Sequence, residues 1–318
     1  MKEVVIVGPG GLGGIYAALL GDQGQCSITV VGRPGPHIDT IKKNGLKLTG
    51  RREAIARINA VDDPSQIKTC DVILYVVKAQ DTQSVLASTA HIEVRDFVSS
   101  LQNGTIKDEL LCATFGREKV IGGVAIVAGE RPAPGLINWT YDGITQFGEL
   151  DGSTSERVDY FVGLCKEAGL NTEATGAILS ATWTKMVGWI PIGLYATLAR
   201  KTNADIFGDP LIAAGYLGMV RELGALAQSR NIPLLDIGPY LVASWTQGTF
   251  ESAVEQVMQS PLANSQTTHS AYQDIQKGQT TEFSACVAPM LADAQARGIA
   301  LPAVQAMYAA LMGLEQTL

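Results

Sequence analysis

Long apolar runs, paired cysteines and metal-ligand clusters are all missing from this chain of 318 residues. No apolar stretch reaches the ~18 residues of a membrane span, and the chain starts with a strand pattern instead of a signal peptide. The five cysteines are odd in number and far apart, which is typical of reduced thiols in the cytoplasm. The three histidines are too scattered to indicate a metal site. A net charge of −7 argues against a nucleic-acid or membrane-surface partner.

What the chain has instead is a glycine-rich turn close to its start. Residues 2–7 predict a buried strand, and an apolar helix pattern follows residue 13. The turn between them has the form Gly-x-Gly-x-x-Gly and consists of Gly8, Pro9, Gly10, Gly11, Leu12 and Gly13. In this context the motif binds a dinucleotide, because its backbone approaches the pyrophosphate closely and the helix N-terminus offers N–H groups. A tight turn that binds nothing is the alternative.

The second predicted strand indicates which dinucleotide is bound. It covers residues 27–32, and Arg33 stands at its carboxyl end, 20 residues after Gly13. NAD enzymes usually place an acidic residue there, but this chain has no carboxylate between Asp22 and Asp39. The planar guanidinium of Arg33 suits a 2′-phosphate, so the sequence predicts NADP. A solvated surface arginine is the alternative.

The order of patterns predicts two domains. Strands alternate with helices in the first half, as a parallel α/β sheet requires, and three later strands are expected to extend that sheet in a mixed manner. The strand signal ends near residue 175, and helical periodicity fills the remainder. We therefore expect a dinucleotide-binding domain at 1–175 and an all-helical domain at 176–318, with a small-molecule site in the cleft between them.

Two polar residues follow strands of the predicted sheet. Lys78 comes after the nearly all-apolar strand 71–77, and Asn103 comes after strand 97–101. Ligands of open α/β sheets bind beyond the carboxyl ends of strands, so both residues are candidates for cofactor or substrate contacts. A surface lysine and an Asn-Gly turn are the alternatives.

Lys185 is the candidate proton donor in the second half. A reductase must place an acid beside the carbonyl oxygen that gains charge, and no tyrosine here has the lysine four residues later that short-chain reductases use. Lys185 lies on a helix that is otherwise apolar around Trp183, Met186 and Ile190. A lysine that extends its ammonium to solvent is the alternative.

Taken together, these motifs resemble the ketopantoate reductase (2-dehydropantoate 2-reductase) family over nearly the whole chain. The pieces are the glycine loop, Arg33, Lys78-Ala79-Gln80, Asn103-Gly104, Trp183-Thr184-Lys185, Ser270 with Gln273-Asp274, Thr281-Glu282 and Gly298-Ile299 with Pro302. The resemblance implies a Rossmann domain followed by a helical domain like that of 6-phosphogluconate dehydrogenase. It also implies a 2-keto acid as the substrate and NADP as the cofactor.

The resemblance assigns roles as well. Lys185 matches the catalytic general acid, and Glu282 matches the glutamate that holds the substrate hydroxyl and orients the lysine. Ser270 matches a residue that binds the substrate carboxylate. Asn103 matches a contact to cofactor and substrate, Lys78 matches a cofactor contact and Arg33 matches the 2′-phosphate contact.

The chain departs from the family after Lys185. Relatives usually carry Asn four and eight residues later, where this chain has Trp189 and Gly193. Pro191 is also expected to interrupt the helix. We expect Trp189 to contact the substrate with its indole. Three interpretations stay open, namely ketopantoate reduction, reduction of a more apolar 2-keto acid, and a catalytically weak NADP-binding sensor. The apolar helices can bury against each other or against a second copy, so a homodimer also stays open.

Overall fold

The protein separates into two compact units. A computed structural model describes residues 1–318 and divides them into Met1–Ile178 and Leu179–Leu318, whereas the sequence placed the boundary at residue 175. No helix in either unit combines the length and hydropathy needed to cross a bilayer.

The first unit alternates strands and helices. Its strands are β1 (Lys2–Val7), β2 (Cys26–Val31), β3 (Leu46–Gly50), β4 (Ala54–Ala56), β5 (Asn59–Val61), β6 (Thr69–Tyr75), β7 (Glu93–Ser100), β8 (Ile121–Ala125), β9 (Ala128–Ala133), β10 (Leu136–Tyr141), β11 (Thr145–Glu149) and β12 (Thr172–Ala174). Its helices are α1 (Gly11–Gln23), α2 (Pro36–Asn44), α3 (Thr82–Thr89), α4 (Lys107–Phe115) and α5 (Glu156–Glu167).

The main sheet has five parallel strands in the order β5-β2-β1-β6-β7. Strand β1 is covered on both faces, because Val4 and Ile6 belong to one core cluster and Val5 and Val7 to another. Side chains of α1 join the first cluster, and side chains of α3 and α4 join the second. The predicted α/β class of the first domain is therefore confirmed.

The remaining strands correct one expectation. Instead of extending the parallel sheet, they form a four-stranded sheet, β4-β3-β10-β9, and a three-stranded sheet, β12-β11-β8. A single bridge between Val98 and Val120 links the main sheet to the start of β8. Isolated glycine and proline turns in the sequence mark where strands end but do not specify which sheet each strand joins.

The second unit is helical, as predicted. The helices are α6 (Ile178–Ala199), α7 (Asn203–Gly208), α8 (Pro210–Ser229), α9 (Val242–Trp245), α10 (Phe250–Met258), α11 (Ser270–Gln276), α12 (Phe283–Ala296) and α13 (Pro302–Glu315). Two expectations were wrong. Helical periodicity predicts one helix over 234–247, but only 242–245 is helical, because Gly238 takes a positive φ of 55° and Pro239 follows it. Helix α6 continues through Pro191, since burial along nearly its whole length outweighs the local cost of the proline.

Candidate functional site

The glycine loop has the shape that a dinucleotide pyrophosphate requires. Gly8 has φ 97°, and its N–H donates to the carbonyl of Val31 at 2.9 Å. A Cβ on Gly13 would overlap the carbonyl oxygen of Gly8, so the helix packs on the strand only with glycine there. The space that a Cβ on Gly10 would enter is open to 4 Å, and no side chain caps the N-terminus of α1. The loop therefore fits the phosphates of a dinucleotide.

His37 fixes this loop and was not singled out by the sequence. Its Nδ1 accepts the N–H of Gly135 at 2.9 Å, so the neutral ring carries its proton on Nε2 and donates it to the carbonyl of Pro9 at 2.7 Å. Burial lowers the pKa of His37 from its ordinary value, which favours this neutral form. The imidazole thus joins the glycine loop to the turn between β9 and β10.

Lys78 and Asn103 follow neighbouring parallel strands, β6 and β7, at the same edge of the sheet. Both residues are half-buried. Buried Gln102 connects their two loops, because its Nε2 donates to the carbonyl of Lys78 at 3.4 Å and to Oγ1 of Thr82 at 2.7 Å. The predicted cofactor contacts therefore share one end of the sheet with the glycine loop.

Arg33 follows β2 at this edge, and its side chain is 82% exposed. Its Nη2 lies 2.7 Å from Oδ1 of Asp81, which closes the short turn after β6. The predicted 2′-phosphate ligand is thus a solvent-accessible guanidinium that already pairs with a carboxylate.

Lys185 and Glu282 are both buried in the helical unit. Lys185 is 7% exposed on α6, and Glu282, 5% exposed, is the residue that precedes α12. Lysine and glutamate are almost never buried so deeply unless they are paired or functional. The burial of Lys185 argues against a lysine that extends its ammonium to solvent.

An aromatic cluster joins the helix of Lys185 to the start of α12. The indole of Trp189, one turn after Lys185, stacks on Phe283 with ring centroids 5.2 Å apart and lies 4.5 Å from the imidazole of His269. A Cβ on Gly193 would overlap the rings of Phe283 and His269. The space that a side chain at position 193 would occupy is therefore filled by these two rings. We name Trp189, His269 and Phe283 the aromatic cluster.

Glu282 is held through both of its neighbours. On one side, Phe283 belongs to the aromatic cluster. On the other, the N–H and hydroxyl of Thr281 donate to Oε1 of Glu315 on α13, with the N–H bond at 2.8 Å. The residues on either side of Glu282 are thus held by contacts to α6, to the start of α11 and to α13.

Ser270 is the first residue of α11 and is exposed, whereas the preceding His269 is buried. His269 caps α11, since its Nδ1 accepts the N–H of Ala271 at 3.1 Å, and the neutral ring therefore carries its proton on Nε2. The role of Ser270 as a carboxylate ligand stays a prediction. The sequence did not indicate a role for His269, because its ring partners lie on other helices.

Family models match both units. The model described as ketopantoate reductase PanE/ApbA matches residues 4–152, and the model described as its C-terminal domain matches residues 177–315. The two matches together cover most of the chain.

Individual relatives agree with these matches. A 2-dehydropantoate 2-reductase of Pyrococcus abyssi is 26% identical over 98% of both chains, and one of Archaeoglobus fulgidus is 30% identical over 66% of this chain and 68% of its own. The crystal structure of 2-dehydropantoate 2-reductase from Geobacter metallireducens superposes with a TM-score of 0.83 at 24% identity, covering 99% of this chain and 100% of that one. A ternary structure of D-mandelate dehydrogenase with NADH and anilino(oxo)acetate gives 0.85 at 17% identity, with 99% of each chain covered. These structural likenesses establish the fold.

Proposed function

Because the chain belongs to the ketopantoate reductase family of oxidoreductases, we propose that it reduces 2-dehydropantoate to pantoate with NADPH, in pantothenate biosynthesis. The observation that carries the proposal is the burial of Lys185 and Glu282 in elements that the aromatic cluster joins. A sensor that only binds the dinucleotide would need neither side chain.

The proposed roles follow from charge and hydrogen bonding. The glycine loop, Lys78 and Asn103 hold the cofactor, and Arg33 binds its 2′-phosphate. When bound, the nicotinamide supplies a hydride to the ketone carbon. Lys185 donates a proton to the ketone oxygen as negative charge develops there, and its buried setting strengthens that interaction.

The remaining residues select the substrate. Glu282 accepts a hydrogen bond from the terminal hydroxyl of 2-dehydropantoate and orients Lys185. Ser270 binds the substrate carboxylate. Trp189 offers an apolar surface for the gem-dimethyl carbon. The aromatic cluster also favours a second candidate, a 2-keto acid with a more apolar side chain, since rings replace the two amides that relatives carry.

The test follows NADPH absorbance with a panel of 2-keto acids. Under the proposal, 2-dehydropantoate gives the highest kcat/KM, with a KM above that of relatives that carry both Asn residues. A higher kcat/KM for an apolar 2-keto acid would select the second candidate. No turnover of any 2-keto acid, with NADPH binding intact, would support the sensor.

A further inference from the structure

The ion pair between Arg33 and Asp81 connects the two strands on either side of β1. Arg33 follows β2 and Asp81 follows β6, and β1 lies between them in the sheet. Adjacent strands are about 4.8 Å apart, so the two side chains together span about 10 Å at the edge where Gly8 begins the glycine loop. The two side chains meet where Nη2 of Arg33 lies 2.7 Å from Oδ1 of Asp81.

A carboxylate and a phosphate are alternative acceptors for the same guanidinium. Arginine binds both through its planar set of N–H donors. A 2′-phosphate that approached Arg33 would meet the Asp81 carboxylate already bound there, and two negative groups beside one cation repel each other. NADH has an uncharged hydroxyl at this position and encounters no such repulsion.

We propose that Asp81 is a specificity-determining residue, which competes with the 2′-phosphate for Arg33 and thereby reduces the preference for NADPH over NADH. The inference rests on the proposed role of Arg33 in cofactor binding. The side chains are 82% and 30% exposed, and exposed ion pairs contribute little, so we expect a change of about two- to fivefold.

The experiment measures dissociation constants by titration calorimetry for NADPH, NADH and adenosine 2′,5′-bisphosphate. In Asp81→Asn, NADPH and adenosine 2′,5′-bisphosphate should bind about two- to fivefold more tightly, and the dissociation constant of NADH should be unchanged. The gain should shrink in 0.5 M salt, because exposed charges are screened. Asp81→Glu keeps the charge and should retain the wild-type ratio of NADPH to NADH affinity.

A matched control uses a second ion pair of the same sheet. Lys2 and Asp96 also lie 2.7 Å apart, but Lys2 opens β1 at the opposite edge. Asp96→Asn should leave all three dissociation constants unchanged. An equal gain in this variant would attribute the effect to net charge and overturn the proposal.

Two further outcomes separate this inference from the role of Arg33. If Arg33→Ala weakens NADPH binding while Asp81→Asn does not change it, competition by Asp81 is rejected and the role of Arg33 stands. If Arg33→Ala leaves NADPH binding unchanged, the role of Arg33 is rejected together with the inference. Weaker NADH binding in Asp81→Asn would mean that Asp81 accepts a hydrogen bond from the ribose hydroxyl of NADH, which also overturns the proposal.

Discussion

The rings of Trp189 and Phe283 stack with their planes 15° from parallel and their centroids 5.2 Å apart. Trp189 is one helical turn beyond Lys185, and Phe283 follows Glu282 directly. This contact therefore sets the position of the start of α12 relative to α6. Rigid aromatic side chains suit such a joint, because they bury much area and have few rotatable bonds.

The space above Gly193 provides a stability test. Gly193→Ala should lower the free energy of unfolding by about 1–3 kcal/mol, since the new methyl group overlaps the rings of His269 and Phe283. Gly218 is a matched control on α8, where a Cβ meets nothing within 4 Å. There the same substitution should raise stability by about 0.5–1 kcal/mol. Urea denaturation measures both, and equal effects would contradict the packing described for Gly193.

Lys185→Ala tests the proton donor. We expect kcat to fall by about 10²–10⁴ while the dissociation constant of NADPH stays unchanged, because the proposed role of the lysine is proton donation to the substrate oxygen and not cofactor binding. Steady-state rates and a separate cofactor titration measure the two quantities. Lys201→Ala, at an exposed position just after α6, is the control. If the Lys185 variant retained more than about a tenth of its turnover, the proton would have to come from another group.

Glu282 should distinguish substrates by their hydroxyl. We expect 2-ketoisovalerate, which lacks the hydroxyl of 2-dehydropantoate, to be a much poorer substrate, because a site built to hydrogen-bond a substrate hydroxyl discriminates strongly against an analogue that lacks it. Glu282→Ala should narrow the difference between the two kcat/KM values. Equal efficiency for both compounds in the unmodified protein would show that Glu282 does not recognise a hydroxyl.

Glu315 is expected to act as a positioning residue for Glu282 through Thr281. Glu315→Ala removes the acceptor of both Thr281 donors, so kcat/KM should fall more for 2-dehydropantoate than for 2-ketoisovalerate. Glu315→Gln keeps an acceptor oxygen and should restore most of the loss. A purely structural role would instead lower kcat/KM equally for both substrates. Glu315→Gln would then leave the ratio of the two kcat/KM values unchanged.

His37 links stability to pH. Its pKa in the folded protein is lowered below 6.5, so the unfolded chain binds the proton more readily. The stabilisation from the neutral ring is fully present above pH 6.5 and is lost as the pH falls below 6.5 toward the folded pKa. His37→Asn should be less stable at pH 7.5 and should show a weaker decline toward pH 5.5. Urea midpoints measured across this pH range compare the stability of the variant with that of the unmodified protein.

Local features of the fold were predictable from the sequence, whereas long-range contacts were not. The glycine loop and the ends of α2 follow from neighbouring residues, such as the glycine that terminates the helix at position 45. The contact between Trp189 and Phe283 depends on how distant helices pack, which no local pattern specifies. Pro191 is the opposite case. Local rules predict a break in the helix there, but the burial of α6 keeps the helix continuous.

The candidate site divides in the same way. Motifs predicted Lys185 and Glu282 as site residues, and both side chains are buried in the structure. His37, His269 and Glu315 were missed because each acts on a residue far away in the chain. His37 stands two residues after Gly35 and His269 directly precedes Ser270, and neither arrangement is a distinctive pattern by itself.

The bond between Thr281 and Glu315 has a consequence for synthesis on the ribosome. Domains emerge and fold from the N-terminus first, so the parallel sheet and the glycine loop can form while α13 is still being translated. A nascent chain that stops before residue 315 contains the whole glycine loop but leaves Thr281 without the carboxylate that anchors it. The glycine loop is thus complete in the growing chain before the carboxylate that anchors Thr281 has been added.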